Sequence, residues 1–289
     1  MKKTVSTVLK AVLAASSVFL IACGGSSDNT DTTKAAVKIA IPDDATNGGR
    51  AIKLLETAGL IEVDPSVGYT PELKDVTKYL YNIEIVPAAA NTLTSTLDDY
   101  GAATINGTYA VPAGLVPSKD ALITEQQDES GSNPYVNIIV ARSEDKDNET
   151  FIPAFEYDEA KAESNAAKTV EEVNAYKSSQ EGKTVVTVGV CGANNDQWKA
   201  VQKVLDDENA GIYIKLQEYD AYTIPNEALN AGDIDLNAFQ HKAYLNNEVE
   251  TQGYKIETIG DTLIAPLSLY SKKVSSVDEL KELAGPKGE

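Results

Sequence analysis

Val37-Lys38-Ile39-Ala40-Ile41-Pro42-Asp43-Asp44-Ala45-Thr46-Asn47-Gly48-Gly49-Arg50 changes period midway, and that change decides the fold. Residues 37–41 are a short β-type run, which Pro42 stops. Over residues 46–58, Ala51, Ile52, Leu55 and Ala58 share a helical face, with Thr46 or Asn47 able to cap it and Gly59 able to end it. The second half repeats the plan. Residues 184–190 form an apolar strand that opens into Cys191-Gly192-Ala193-Asn194-Asn195-Asp196. A helix follows from about Gln197, with Trp198, Val201 and Leu205 on one side. Further strands are read at 82–86, 102–105, 135–141, 211–219 and 234–237, and shorter helices at 93–97 and 226–230. This alternation predicts an α/β protein with mostly parallel sheets. Ile105-Asn106-Gly107 and Leu236-Asn237-Ala238 are matched strand ends, expected to face a ligand across a cleft between two lobes.

Upstream, Met1-Lys2-Lys3 precedes an apolar run from Ala11 to Ala22 that only Ser16 and Ser17 interrupt. A basic start, a short apolar core and a small residue before the cut read as a secretory signal. The core is too short for a stable bilayer span. Residues 24–36 are polar, lack apolar periodicity and read as a flexible tether. The expected organisation is a signal over 1–22, a tether over 23–36 and a first lobe over 37–133. A crossover strand and helical segment over 134–183 follow, then a second lobe over 184–270. A crossover and helix return to the first lobe over 271–289, the helix at 277–283 capped by Ser275 or Ser276. Residues 158–179 are rich in Ala, Glu and Lys and are predicted to be helical.

Charge narrows the partners. The 289 residues carry a net −19; the first 22 contain three lysines and no acid, so the remainder carries −22. That balance argues against nucleic acid and anionic lipid surfaces. Only Cys191 and Cys23 are cysteines, and neither the single histidine nor the carboxylates show metal-ligand spacing. No nucleophile elbow or nucleophile–base pair is legible, so no enzyme and no cofactor are expected.

Two places carry recognition chemistry. Arg50 stands in the first turn of its helix, where the macrodipole disfavours a cation. With Asn47, Gly48 and Gly49 it suits a carboxylate or phosphate site, or else it is a surface arginine paired with Asp43 or Asp44. Tyr219, Tyr222, Phe239, His241 and Tyr244 crowd one stretch, either as core or as an apolar pocket wall to which His241 adds a polar contact. Cys191, with no base nearby, reads as an inert thiol.

Several long stretches resemble one family. They include Gln217-Glu218-Tyr219-Asp220-Ala221-Tyr222-Thr223-Ile224-Pro225-Asn226-Glu227-Ala228-Leu229, Gly232-Asp233-Ile234-Asp235-Leu236-Asn237-Ala238-Phe239-Gln240-His241 and Pro266-Leu267-Ser268-Leu269-Tyr270-Ser271. In the first half they are residues 40–50, Ala103-Thr104-Ile105-Asn106-Gly107-Thr108-Tyr109-Ala110 and Ser132-Asn133-Pro134-Tyr135-Val136-Asn137. These resemble the methionine-binding lipoproteins of ABC importers, the NlpA-type family, and Leu20-Ile21-Ala22-Cys23 resembles a bacterial lipobox. The resemblance implies a two-lobed periplasmic-binding-protein fold that closes on L-methionine and delivers it to a permease with an ATPase. It implies that Cys23 is acylated, holding the protein on the extracytoplasmic face of the cell membrane. It implies that Arg50 clamps the ligand carboxylate, that Asn106 and Asn137 bond its polar end, and that Tyr222, Phe239, His241 and Tyr244 enclose the thioether. Another small apolar amino acid or a dipeptide stays open as ligand, as does a surface interaction protein that binds none. One departure is large: the family has the segment resembling 186–271 before the one resembling 38–142. The exchanged order resembles a circular permutation, with residues 285–289 expected near Val37. Residues 151–155 look like the family's extreme C-terminal end, moved.

Overall fold

The first lobe begins with β1 (Val37–Pro42) and α1 (Ala45–Thr57), then β2 (Ile61–Val63), β3 (Val76–Tyr79), β4 (Ile83–Ala88) and β5 (Ala102–Ile105). Short α2 (Gly107–Ala110) and α3 (Pro117–Asp120) lead to β6 (Ala121–Thr124). The chain then crosses into β7 (Val136–Arg142), β8 (Thr184–Cys191), α4 (Gln197–Asp207), β9 (Ile212–Tyr219) and α5 (Pro225–Ala231). β10 (Leu236–Asn237), α6 (Lys242–Gln252) and β11 (Ile256–Ile264) complete the second lobe, and β12 (Ser268–Tyr270) and α7 (Val277–Ala284) return to the first. These elements come from a computed structural model that describes residues 35–68, 70–126, 133–151, 175–192 and 195–288. The signal, Cys23 and most of the expected 158–179 helix lie outside the described residues.

One five-stranded sheet runs β4-β1-β5-β12-β6 and the other β11-β7-β10-β8-β9, with β2 and β3 as a separate pair. β1 is parallel to β4 and β5, and β8 is parallel to β9 and β10. The strands that arrive from the opposite lobe run the other way. β12 is antiparallel to β5 and β6, and β7 to β10 and β11. The sheets are therefore mixed rather than mostly parallel. A strand entering at the cleft edge must run away from the cleft, while βα strands run toward it. The exchange also shifts the expected boundaries: β12 belongs to the first sheet, not to a lobe reaching residue 270, and β7 to the second.

Alternation along the strands builds four core clusters. Ile39 and Ile41 face α1 and α7, packing with Ile52, Leu55, Leu269 and Leu280. Ala40, Ala103 and Ile105 meet Leu93, Leu97 and Tyr270. In the second lobe Ile139, Val186, Val188 and Val190 pack against Trp198 and Leu205, while Ile138 and Val140 meet Leu229, Leu245 and Ile256. Where a helix was expected at 93–97, 3₁₀ turns stand at Ala90–Thr92 and Leu97–Asp99.

The two ends of the described body meet at one residue. Val37 donates its backbone N–H to Asn82 O at 2.9 Å, and Asn82 donates to Gly285 O at 2.9 Å.

Candidate functional site

A cavity lies between the lobes where β1, β5 and β7 meet the loop after β10. Its empty space is about 360 Å³, solvent at the mouth included. All seven side chains singled out above line it: Arg50, Asn106, Asn137, Tyr222, Phe239, His241 and Tyr244. Asn47, named above only as a neighbour of Arg50 in its anion site, and Gly107, Thr108, Gln240 and Ala265, which the sequence did not single out as site residues, complete the wall.

Arg50 reaches it because α1 sits unusually close to its surroundings. A Cβ on Gly48 would lie 2.8 Å from Pro42 O, and one on Gly49 would lie 2.9 Å from Thr70 Cα. Arg50 is 3% exposed, and its partner is neither Asp43 nor Asp44. Nε donates to both carboxylate oxygens of Glu125, at 2.8 and 2.9 Å, and Nη2 donates to Oε2 at 2.5 Å and to Ala265 O at 2.8 Å. The guanidinium carbon also sits 4.6 Å from the Tyr135 ring centre. Nη1 forms no hydrogen bond among the described residues, so it is the donor left for an arriving anion. A buried cation needs such compensation, and Glu125 supplies it.

Asp44 caps α1, a position expected for Thr46 or Asn47; its Oδ1 accepts the Asn47 backbone N–H at 2.8 Å. Asn47 Nδ2 donates to both Asp44 oxygens at 3.1 Å. Asn47 Oδ1 in turn accepts Asn106 Nδ2 at 3.0 Å. Across the cleft, His241 caps α6: its Nδ1 accepts the Tyr244 N–H at 3.1 Å, which leaves the ring hydrogen on Nε2, 3.4 Å from the same Asn47 Oδ1. Burial, then the nearby Arg50, push the His241 pKa down to about 3, so the imidazole is neutral at physiological pH.

The aromatic wall is one cluster. Tyr222 stacks on Phe239 at 6.0 Å, and Tyr244 meets both edge-on at 6.2 and 6.0 Å. Burial raises the Tyr222 and Tyr244 phenols above their ordinary value, so both stay protonated. Tyr219, of the same sequence cluster, packs instead against the core of the second lobe. Tyr109 of the first lobe bridges the mouth: its ring is 5.0 Å from Tyr222 and its hydroxyl donates to Asp220 O at 3.1 Å. Asn237, expected opposite Asn106, lies behind the wall. It donates to Asn226 Oδ1 at 2.9 Å and accepts Gln240 Nε2 at 3.0 Å. Cys191 is buried and its thiol is raised by desolvation, with Sγ 3.7 Å from Ala221 O. Among the described residues no cluster could hold a metal ion.

The NlpA lipoprotein family model matches residues 27–176 and 186–285. Over 97 residues the chain is 44% identical to a protein from Pasteurella multocida named "Probable D-methionine-binding lipoprotein MetQ", covering 34% of this chain and 35% of that one. It is 40% identical over 135 residues to "Outer membrane lipoprotein 2" of Mannheimia haemolytica, covering 45% and 47%. A solved nutrient binding protein from Burkholderia cenocepacia, bound to methionine, is 33% identical with a TM-score of 0.31, covering 33% of this chain and 41% of that one. In each case the chain spans less than half the length of the relative it matches. The family match, however, extends over most of this sequence, and the chain belongs to the NlpA lipoprotein family.

Proposed function

We propose that this protein is a lipid-anchored, extracytoplasmic binding protein that captures L-methionine between its lobes and delivers it to the permease and ATPase of an ABC importer. The observation that carries the reading is the pairing, in one cavity, of the free Nη1 edge of Arg50 with an aromatic wall. In this reading Arg50 takes the ligand carboxylate, Asn106 and Asn137 take its polar end, and Tyr222, Phe239, His241 and Tyr244 enclose a polarizable thioether. Family membership and the names of the relatives add support. Cys23 is the acylated anchor, and Cys23→Ser is expected to move the protein from the membrane fraction to the soluble one. The chain order is that of a circular permutant, supported by the meeting of both ends at Asn82.

The test is calorimetric titration of protein freed of co-purified ligand, against the twenty amino acids, D-methionine and methionine-containing dipeptides. L-methionine is expected to bind tightest. Tighter binding of another compound reassigns the ligand, and no heat from any of them favours a ligand-free interaction protein.

A further inference from the structure

We propose that Asp44, which does not line the cavity, is a positioning residue that makes the site read a ligand's ammonium group. Through Asn47 it holds Asn106 with the carbonyl end of the amide, not the NH2 end, available to the ligand. The proposal rests on the cavity being an amino-acid site and explains what that site selects.

The argument is one of forced polarity. A carboxylate only accepts hydrogen bonds, whereas an amide has one accepting and one donating end. Asp44 is tied down as the cap of α1, so the Asn47 amide must turn its Nδ2 toward it, and both contacts are 3.1 Å. Asn47 Oδ1 then points the other way and requires a donor from Asn106, which Nδ2 supplies at 3.0 Å. His241 enforces the same orientation from the opposite lobe. Its Nδ1 is occupied by the Tyr244 N–H, so Nε2 carries the hydrogen that faces Asn47 Oδ1. Two donors from two lobes thus converge on one oxygen, and a flipped Asn47 would set donor against donor on both sides.

The end of this relay is Asn106 Oδ1, which is buried and has no hydrogen-bond partner. Asn106 is 8% exposed and lines the cavity. A buried acceptor left unpaired is costly, and the cost is removed when a donor arrives. An ammonium group is such a donor; a ligand with hydrogen bound only to carbon at that position leaves the oxygen orphaned. Arg50 Nη1 offers the opposite polarity in the same cavity. The two together fit a zwitterion in one orientation.

The experiment compares L-methionine with its desamino analogue in the full mature protein and in Asp44→Asn. Asparagine keeps the shape and the capping oxygen but puts an NH2 where the second carboxylate oxygen was. Asn47 Nδ2 then keeps one acceptor instead of two and faces an NH2, so the hold on the Asn47 and Asn106 amides is expected to loosen. The parent protein is expected to prefer the amino acid by roughly tenfold or more, the range of a charge-assisted hydrogen bond. Asp44→Asn is expected to lose most of that preference, with the affinity for the desamino analogue held within about twofold. Parallel weakening of both ligands marks a merely structural residue and overturns the proposal, as does an unchanged preference. A parent protein that binds neither compound defeats the amino-acid reading instead. Neutron diffraction of the unsubstituted protein decides the relay independently of any variant: an Asn106 NH2 group turned from Asn47 toward the cavity overturns it.

Discussion

Arg50 and Glu125 are 75 residues apart in sequence and joined side-on, with Arg50 Nε 2.8 and 2.9 Å from the two carboxylate oxygens. Glu125 also accepts the Leu267 N–H at 3.2 Å, so this ion pair ties α1 to the end of β6, where the chain leaves the first lobe, and to the start of β12, where it returns. The pair has opposite consequences for stability and for binding. Glu125→Gln keeps the shape but leaves a guanidinium 3% exposed without its anion. Breaking a buried pair costs about 3–5 kcal/mol; with the Glu125 side chain 19% exposed and an amide oxygen retained, about 1–3 kcal/mol is expected. A bound carboxylate restores the charge balance. Unfolding measured with and without methionine should therefore show the variant rescued by ligand more than the parent is.

Arg50→Ala is expected to weaken methionine binding at least about tenfold, since a charge-assisted hydrogen bond contributes about 1.5–3 kcal/mol. It should also lower stability, because Glu125 then loses its cation. Titration and denaturant unfolding on one preparation separate the two effects. A folded variant with parental affinity removes Arg50 from the site.

His241 predicts an acid-side loss of stability. Its pKa falls from 6.5 to about 3 on folding, so below pH 6.5 the unfolded chain binds a proton that the folded protein refuses. The stability it contributes is present above pH 6.5 and is lost as pH falls toward 3, at about 1.4 kcal/mol per pH unit. His241→Asn keeps a capping acceptor and does not titrate. The difference in unfolding free energy between parent and variant should narrow between pH 6.5 and 4.5, and a parallel pair of curves defeats the prediction.

Tyr109 joins the lobes from outside the cavity through its hydroxyl on Asp220 O. Tyr109→Phe keeps the ring against Tyr222 and removes the hydroxyl, with its bond to Asp220 O and its interaction with the Tyr222 hydroxyl, about 0.5–1.5 kcal/mol for each bond. Methionine should leave about 2–10 times faster, with association changed less than about twofold. Stopped-flow fluorescence measures both rates; slower association with unchanged dissociation contradicts a role in holding the cleft shut.

The residues that sequence made legible are those whose type carries chemistry wherever they fold. Arg50, expected in the first turn but placed by the Asp44 cap in the second turn of α1, and all but Tyr219 of the aromatics around the one histidine came together in one cavity. What stayed hidden was non-local or set by caps. No spacing rule connects Arg50 to Glu125, and nothing near Asp44 announces Asn106. α6 has no clear apolar stripe; His241 at its start and Gly253, with φ 73°, at its end define it. β11 sits at a sheet edge, where Glu257, Gly260 and Asp261 mask a strand pattern. Strand direction is not written in periodicity, so the mixed sheets could not be read.

The meeting of Val37 and Gly285 at Asn82 predicts that the order of segments can be undone. Val37 N–H and Gly285 O bond opposite polar groups of that one residue, so a short link between residue 288 and residue 35 has little distance to cover. The turn at Gly182 and Lys183 is a suitable place to open the chain, because Gly182 is exposed and has φ 74° with open space around it. A protein rebuilt to start at Lys183, run through Gly288 into Ala35 and end at Gly182 keeps every core cluster and the whole cavity wall. It is expected to unfold cooperatively and to bind methionine within about threefold of the parent, since loop closure changes stability only slowly with loop length. Loss of cooperative unfolding or of binding would show that the present order is needed by the fold, and the permutation reading would fail with it.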